Sequence, residues 1–345
     1  MRSSTSNFEA AADRIPSRAW LRHWAALAGL VVGLFTTAEL SLRWTGHQPP
    51  GAASRGRLLW SYHRAQASRG KQRSIVLIGA SQMQTNVDLP TFREVCPEHR
   101  VTQLAINSHG SPIAVLRDLA HDSQFTGIVV ASVTAKRIDG SRWLASQQSF
   151  VDHFQGAYSW YSPLECSLQW AVASSSCVFR YNLIEKTRRG LRGRGNWVPG
   201  RATYHCSFDR QIRQQFVDWN SAPAPATSTT VIRSTVNQQP VSSAFLDKLN
   251  QIETFVSRIR SRGGQVILVR MPTHGRHWKT SQQQFPRHRW WDALADRVSS
   301  ATCIHFQDVA PWKKYHCPDD VHLDYRDSPA FTRDLIDALK NQKAL

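Results

Sequence analysis

A serine and an Asp-x-x-His pair, far apart in the chain, are the residues with the clearest chemical potential. Ser81 follows a short apolar run at residues 74–78, and Asp319 and His322 lie near the C-terminus. A serine hydroxyl becomes an effective nucleophile when an imidazole accepts its proton and a carboxylate fixes the imidazole tautomer. We therefore predict Ser81 as the nucleophile, His322 as general base and then acid, and Asp319 as the residue that orients His322.

These residues also have ordinary structural interpretations. Ser81 stands where a helix is predicted to begin near Gln82, and serine is favoured as a helix N-cap. His322 is one of 14 histidines, and the extra carboxylates around it permit a surface-loop or a weak metal-site interpretation. No second histidine with ligand spacing lies between residues 318 and 329, so we expect neither a metal nor another cofactor.

The elements that must position these residues alternate between short apolar strands and longer helical patterns. Strands are predicted at residues 75–78, 101–106, 127–133, 265–269 and 303–306, and helices at residues 112–121, 243–261, 289–298 and 329–341. Short, fully apolar strands are typical of a parallel sheet that is covered on both faces. The alternation predicts an α/β fold, a three-layer α/β/α sandwich with a mostly parallel sheet, in which Ser81 follows the first strand.

Residues 135–240 interrupt this alternation, and we predict that they form a large insertion between the third and fourth strands. The segment holds an arginine-rich stretch, several tryptophans and a low-complexity run at residues 221–230. Insertions at the carboxyl ends of strands commonly form the walls of a substrate cleft. We therefore expect this insertion to shape the cleft around Ser81.

The composition favours a globular protein with anionic partners. The hydrophobic content of 41% excludes a disordered chain and a multi-span membrane protein, and the net charge is +18. Such a charge attracts nucleic acid, acidic lipid or acidic glycan, or it belongs to a solvated basic loop. The basic residues are densest between Arg180 and Arg213, without any nucleic-acid-binding motif, so we expect no nucleic-acid partner. Six cysteines, none in a C-x-x-C pair, permit either disulfides or buried free thiols.

The N-terminal segment at residues 24–42 is apolar and just long enough to span a bilayer. Trp20, Trp24 and Trp44 flank it, as aromatic residues at membrane interfaces do. A retained signal anchor is the favoured interpretation, and a cleaved signal peptide or a buried helix are the alternatives. The predicted organisation is a tail at residues 1–23, an anchor at 24–42, a linker at 43–65, and a folded domain at 66–345 with its insertion at about 135–240.

The residues around Ser81 and His322 resemble the sequence blocks of the SGNH (GDSL-like) hydrolase superfamily. Gly79, Ala80 and Ser81 stand where the family has Gly-Asp-Ser, and residues 319–323 (DDVHL) are similar to its last block. The resemblance implies the three triad roles given above and an acyl-enzyme mechanism. Residues 105–111 (AINSHGS) resemble the second block, which implies that Gly110 and Ser81 donate backbone amides to an oxyanion hole.

Two further positions follow from the same resemblance. The third block, Gly-x-Asn-Asp, has no counterpart after the third strand, where residues 132–134 (SVT) stand, and Asn107 is the candidate for the missing donor. The loss of one oxyanion donor costs on the order of 100-fold in rate. Residues 270–275 (RMPTHG) resemble a substrate-side loop of these relatives, which implies His274 as a candidate substrate contact.

An N-terminal anchor followed by such a domain is similar to bacterial cell-envelope enzymes, including exopolysaccharide O-acetyltransferases. The resemblance implies a single-pass membrane protein with an extracytoplasmic esterase or acyltransferase domain. Its implied substrates are O-acyl esters, above all O-acetyl esters, of an envelope glycan, with a lipid ester as the other substrate class and polysaccharide-assembly proteins as candidate partners. The alternative is a non-catalytic envelope protein that keeps the fold for glycan binding or assembly.

Overall fold

The computed structural model describes residues 18–44, 56–70, 73–178, 202–216, 241–343 and 345. The densest part of the arginine-rich stretch and the low-complexity run at residues 221–230 lie outside these residues. The described strands are β1 (Ser74–Ile78), β2 (Arg100–Gln103), β3 (Ile128–Ser132), β4 (Ala202–Cys206), β5 (Ile212–Phe216), β6 (Gln265–Arg270) and β7 (Thr302–His305).

The described helices surround these strands. They are α1 (Arg18–Trp44), α2 (Arg57–Ala67), α3 (Ser81–Asn86), α4 (Leu89–Val95), α5 (Ile113–His121), α6 (Ala135–Asp139), α7 (Gln148–Gly156), α8 (Ser162–Ser175), α9 (Ser243–Ser261), α10 (Gly275–Gln284), α11 (Arg287–Arg297) and α12 (Ser328–Asn341). Two 3-10 turns, Phe306–Asp308 and Ala310–Lys314, follow β7.

Five of the strands form one parallel sheet in the order β2-β1-β3-β6-β7. Alternate residues of each strand point to opposite faces. On β1, Val76 and Ile78 join the core that α5, α9 and α11 cover, and Ile75 and Leu77 join the core that α4 and α12 cover. The predicted three-layer α/β/α sandwich with a parallel sheet is confirmed.

Helix α9 illustrates how the sequence specifies one of the covering layers. Phe245, Leu249, Ile252 and Val256 recur at helical spacing and are fully buried against the sheet. The hydroxyl of Ser242 accepts the Phe245 backbone N–H at 3.2 Å and caps the first turn. The predicted bounds of this helix, residues 243–261, are those of the structure.

The predicted linker at residues 43–65 is wrong in its second half, because helix α2 occupies Arg57–Ala67 and packs on the domain. Trp60 is fully buried, and its indole Nε1 donates to the Leu104 carbonyl at 2.9 Å. The buried guanidinium of Arg64 pairs with both Asp118 and Asp122. Polar residues on the buried face of α2 hide its helical pattern in the sequence. Because α2 packs on the domain, the folded domain begins at least nine residues earlier than residue 66.

Helix α1 extends beyond the predicted span at both ends. By length and composition the segment Trp20–Trp44 is able to cross a membrane, and its most apolar window is not buried in the protein. A signal sequence near an N-terminus meets the same criteria. The carboxylate of Glu39 on α1 accepts the backbone N–H groups of Cys177 and Val178, so the C-terminal end of α1 contacts the segment after α8.

The predicted insertion between the third and fourth strands of the sheet contains, within the described residues, helices α6 to α8 and an antiparallel ribbon of β4 and β5. The ribbon packs beside α3, where the fully buried Arg210 donates to the carbonyl oxygens of Gln103 and Ala105. All six cysteines are free thiols, which corresponds to the second of the two predicted alternatives.

Candidate active site

Ser81 lies three residues beyond the carboxyl end of β1 and is the first residue of α3. The chain can turn here because residue 79 is glycine. A Cβ at Gly79 would lie 2.9 Å from Met83 Cβ, closer than real Cβ atoms approach, and 3.0 Å from Ser132 Cβ, which is tighter than most real contacts. The absence of a side chain at Gly79 therefore lets β1 and β3 lie close together while the serine is delivered to the rim of the sheet.

The structure brings Ser81, His322 and Asp319 into one hydrogen-bonded chain. His322 Nε2 lies 2.7 Å from Ser81 Oγ, and His322 Nδ1 lies 2.7 Å from Asp319 Oδ2. In the tautomer that satisfies both contacts, Nδ1–H donates to the carboxylate and the serine hydroxyl donates to Nε2. This arrangement prepares the imidazole to accept the serine proton.

Asp319 is held in a fixed orientation by its own loop. Its Oδ1 accepts the backbone N–H groups of His322 at 2.7 Å and Val321 at 3.1 Å, while Oδ2 accepts from the imidazole. Burial alone would raise the pKa of Asp319, but the hydrogen bonds and charge of His322 hold the pKa below its usual value. The carboxylate is therefore ionised at neutral pH, as its orienting role requires.

Two amide side chains of helix α3 form hydrogen bonds to the loop that carries His322. Gln82 Nε2 donates to the Val321 carbonyl at 3.0 Å and to the Pro272 carbonyl at 2.8 Å. The Oδ1 atom of Asn86 accepts the backbone N–H of Leu323 at 3.1 Å. Because both amides belong to α3, the helix that starts with the serine also fixes the position of the histidine.

A second contact locks the triad loop against the loop after β6. Asp320, at a positive φ of 70°, places its carboxylate over Gly275, where an added Cβ would lie 1.9 Å from Oδ1. The Oδ2 atom accepts the Arg276 backbone N–H at 3.0 Å, and the Asp320 carbonyl accepts the His274 N–H at 2.9 Å. Only glycine fits at position 275, whose φ is also positive at 52°.

The triad opens into a cleft of about 530 Å³. Its lining residues are Ala80, Ser81, Gln82, Gly110, Ser132, Thr134, Lys136, Arg137, Arg270, Arg276, His277, Thr280, Ser281, Gln284, Asp319, Asp320 and Val321. The expectation that the insertion shapes the cleft is met, among its described residues, only at Lys136 and Arg137. The opposite wall comes from α10, a helix for which the sequence predicted no element.

Of the two further oxyanion candidates, the structure brings one to the cleft. Gly110 lines the cleft, and its carbonyl accepts from Arg137 Nη1 at 2.7 Å. Asn107 is not among the described lining residues, and its backbone N–H is used by Gln84 Oε1 at 3.0 Å. Its side-chain oxygen accepts from Ser108 at 3.2 Å. The side-chain NH2 of Asn107 as an oxyanion donor therefore stays a prediction, and the described lining of the cleft does not include this residue.

The structure places the predicted substrate contact, His274, beside the cleft residues and not among them. His274 is not among the described residues that line the cleft; it precedes α10, and its Nδ1 is buried without a hydrogen-bond partner in the described part of the chain. Burial lowers the pKa of His274, so its ring is neutral. The Asp320 carbonyl draws the His274 backbone toward the triad loop, and the next two side chains, Arg276 and His277, line the cleft instead.

The sequence interpretation missed the positive charge of the cleft. Lys136 and Arg137 follow β3, Arg270 ends β6, and Arg276 opens α10. Three of these positions come directly after predicted strands of a parallel sheet, whose carboxyl ends meet at one edge. These four residues are dispersed along the sequence, so they are less conspicuous than the five arginines that lie close together between residues 180 and 194.

No protein-family model matches the chain, and no curated protein matches it. Among solved structures, 16 chains match. TesA is 12% identical, with 78% of this chain and 99% of TesA covered, at a TM-score of 0.34. A Streptococcus pneumoniae protein described as a candidate platelet activating factor is 12% identical, with coverages of 90% and 99% and a TM-score of 0.37. A Bacteroides fragilis protein described as a candidate acylhydrolase is 11% identical, with coverages of 82% and 95% and a TM-score of 0.36. At these identities and TM-scores the likeness carries no inference about activity, which depends on the side chains described above.

Proposed function

We propose that this protein is a serine esterase or acyltransferase of the SGNH type that acts on O-acyl esters through an acyl-enzyme. The observation that carries the proposal is the continuous chain from Ser81 through His322 to Asp319, with both contacts at 2.7 Å. A nucleophile within hydrogen-bond reach of its base, and a base oriented by a carboxylate, are the requirements of this chemistry.

In the first half-reaction, Ser81 Oγ bonds to the ester carbonyl carbon as its proton passes to His322 Nε2. The charge that develops on the carbonyl oxygen is stabilised by backbone N–H groups, for which Ser81 and Gly110 are the candidates. Collapse of this intermediate breaks the bond to the leaving alcohol, which takes the proton from Nε2. Asp319 stabilises the imidazolium between these steps without becoming protonated.

In the second half-reaction, water or a sugar hydroxyl attacks the acyl-enzyme, and His322 again accepts and returns the proton. Water as the acceptor gives hydrolysis, and a sugar hydroxyl gives acyl transfer. The cleft is open to solvent and lined mainly by polar side chains, among them Thr134, Thr280 and Ser281. Such a cleft suits a sugar better than a long acyl chain, so we propose an O-acetylated envelope glycan as the substrate, with a lipid ester as the weaker candidate.

We further propose that the protein is a single-pass membrane protein with its catalytic domain outside the cytoplasm. The apolar helix α1 supports membrane attachment by its length and its exposed side chains. The C-terminal end of helix α8 lies beside the end of α1, where Arg43 donates to the Ser175 carbonyl. Leu164 and Leu168 of α8 are 65% and 58% exposed, and Trp160, two residues before the helix, is 91% exposed. An exposed aromatic and aliphatic surface next to a membrane span is typical of contact with the lipid interface.

The proposal is tested by assaying the full chain, purified in detergent, with p-nitrophenyl acetate. We expect ester turnover that Ser81→Ala abolishes, while Ser167→Ala, a change of an exposed serine on α8, leaves turnover intact. Equal turnover by wild type and Ser81→Ala would refute the assignment of the nucleophile.

The second candidate is a non-catalytic envelope protein that uses the fold for glycan binding or assembly. The observation in its favour is the departure at the family's third block, where the cleft is lined by Ser132 and Thr134. This candidate predicts glycan binding without any Ser81-dependent ester turnover.

A further inference from the structure

Four basic side chains line the same cleft as Ser81, and the carboxylates beside them are already engaged. Lys136, Arg137, Arg270 and Arg276 contribute these charges. Asp319 accepts from His322, and Asp320 accepts the backbone N–H of Arg276. With four basic side chains against two carboxylates, the lining of the cleft has a net positive charge.

Arg270 is the centre of this positive lining. Its side chain is buried, with 6% of the residue exposed, and it stands at the last position of β6. Within the described residues it donates one hydrogen bond, from Nη1 to the Met271 carbonyl at 3.3 Å, and its guanidinium lies 5.9 Å from the centre of the Trp278 ring. No carboxylate of the described residues lies within ion-pair distance. An uncompensated buried charge is costly and is normally paired.

The other two buried arginines of the described residues do not line the cleft, and one of them is paired with carboxylates. Arg64 is buried to a similar degree and forms ion pairs with Asp118 and Asp122. Arg210 is fully buried and donates to two backbone carbonyls. Burial, and then the charge of Arg137, lower the pKa of Arg270 to about 10, so it stays protonated at neutral pH. Arg270 is thus a buried cation that faces a cleft and has no anion of its own.

Arg137 links this positive lining to the oxyanion side of the site. Its Nη1 donates to the Gly110 carbonyl at 2.7 Å, and Gly110 is the candidate for an oxyanion donor. An anionic group bound between Arg137 and Arg270 would therefore lie beside the ester that Ser81 attacks. Few aliphatic side chains line the cleft, since Ala80 and Val321 are its aliphatic members among the described residues.

We propose that Arg270, with Arg137, Lys136 and Arg276, forms an anion subsite, and that the preferred substrate is an acidic sugar bearing a short O-acyl group near its charge. This inference rests on the proposed esterase or acyltransferase function and specifies its substrate class. The charged group is a carboxylate, sulfate or phosphate, each of which an arginine fork can bind with two hydrogen bonds. The scarcity of aliphatic side chains, which would hold an acyl chain, favours an acidic sugar over a phospholipid.

The test uses the full chain in detergent and two matched substrates, an O-acetylated oligogalacturonide and an O-acetylated xylo-oligosaccharide. Both carry acetyl esters on sugar hydroxyls, and only the first carries carboxylates. We expect the acidic substrate to be favoured in kcat/KM by about 10-fold or more, through KM, because a charge-assisted hydrogen bond in a shielded site contributes at least this much. High salt should reduce the preference.

Arg270→Gln should reduce the preference by about 10-fold, and Arg270→Lys should restore part of it. The matched control is Arg333→Gln, which removes the same charge from an exposed position on α12 and should keep the preference. Inorganic sulfate and phosphate should compete with the acidic substrate in wild type and compete less in Arg270→Gln. Stronger competition by these ions than by free galacturonate would assign the subsite to a sulfated or phosphorylated sugar.

Equal kcat/KM values for the two substrates, or a preference that Arg270→Gln does not change, would overturn the anion subsite while leaving Ser81-dependent turnover standing. Preferential turnover of acetylated phospholipid vesicles would also overturn it. If neither substrate is turned over and Ser81 is inert, the proposed function fails instead. In that case calorimetric titration of wild type and Arg270→Gln with the oligogalacturonide still decides whether the subsite binds anions.

Discussion

Replacement of Asp319 by asparagine should abolish most of the activity without unfolding the protein. The reason lies in the two backbone N–H groups, of His322 and Val321, that Oδ1 accepts. These donors hold the carbonyl oxygen of the new amide in place, so its NH2 group must face His322 Nδ1. The imidazole would then carry its proton on Nε2 and donate to Ser81 instead of accepting from it.

The expected loss is on the order of 10⁴-fold in kcat, which corresponds to about 5 kcal/mol of transition-state stabilisation. In Asp319→Asn the side chain still accepts the backbone N–H groups of His322 and Val321 and still bonds to His322 Nδ1, so the melting temperature should change little. The assay is p-nitrophenyl acetate turnover by the full chain in detergent, beside thermal unfolding. The control is Asp292→Asn, the same chemical change at a carboxylate that is 48% exposed on α11. An Asp319→Asn variant that keeps more than about a tenth of the activity would refute this account of the imidazole tautomer.

Other changes test the loops that position the site and the stability of the fold. Gly275→Ala places a methyl group against the Asp320 carboxylate, so we expect at least about a 10-fold loss of turnover and a lower melting temperature, whereas Gly156→Ala, where a Cβ meets nothing within 4 Å, should change neither. Trp60→Ala should lower the free energy of unfolding by about 3–5 kcal/mol in denaturant titrations, because a fully buried indole is lost. Burial lowers the pKa of His305 to about 3 in the folded protein. As the pH falls below about 6.5, the His305 ring is therefore protonated in the unfolded chain before it is protonated in the folded protein. The free energy of unfolding should therefore decrease from pH 6.5 towards pH 3, by up to about 1.4 kcal/mol per pH unit, and His305→Phe should show a shallower decrease.

The sheet and the convergence of the triad were accessible from the sequence because both depend on short, local patterns. Strands β1, β3 and β6 are continuous apolar runs, and each was predicted within one or two residues of its bounds. In a parallel sheet the segments after such strands meet at one edge, so Ser81 and the loop of His322 could be placed together. Their catalytic roles remain the proposal that the experiments above address.

The remaining elements depend on contacts that a sequence does not display. Helix α2 buries Ser61 and Arg64, whose polarity conceals its buried face until the partners Asp118 and Asp122 are known. Helix α10 buries no residue, so it has no apolar pattern to detect. Its position depends on the fit of Asp320 over Gly275, which joins residues 45 positions apart.

The same limit applies to the two predicted site residues that are not among the described cleft-lining residues. Asn107 was selected for its amide, and its backbone N–H donates to Gln84 Oε1 on another element. His274 was selected from a loop resemblance, and the contact of its backbone with Asp320 turns the following residues toward the substrate. In both cases a contact with another element holds the backbone of the residue.

The most direct test of the central claim is the site of covalent modification by a fluorophosphonate. The account predicts one adduct, on the peptide that contains Ser81, detected by mass spectrometry of the digested full-length protein. The adduct should be absent in Ser81→Ala and strongly reduced in His322→Gln, and heat-denatured protein should not react. A native protein that gives no adduct, or an adduct on another serine, would contradict the claim that Ser81 is an activated nucleophile.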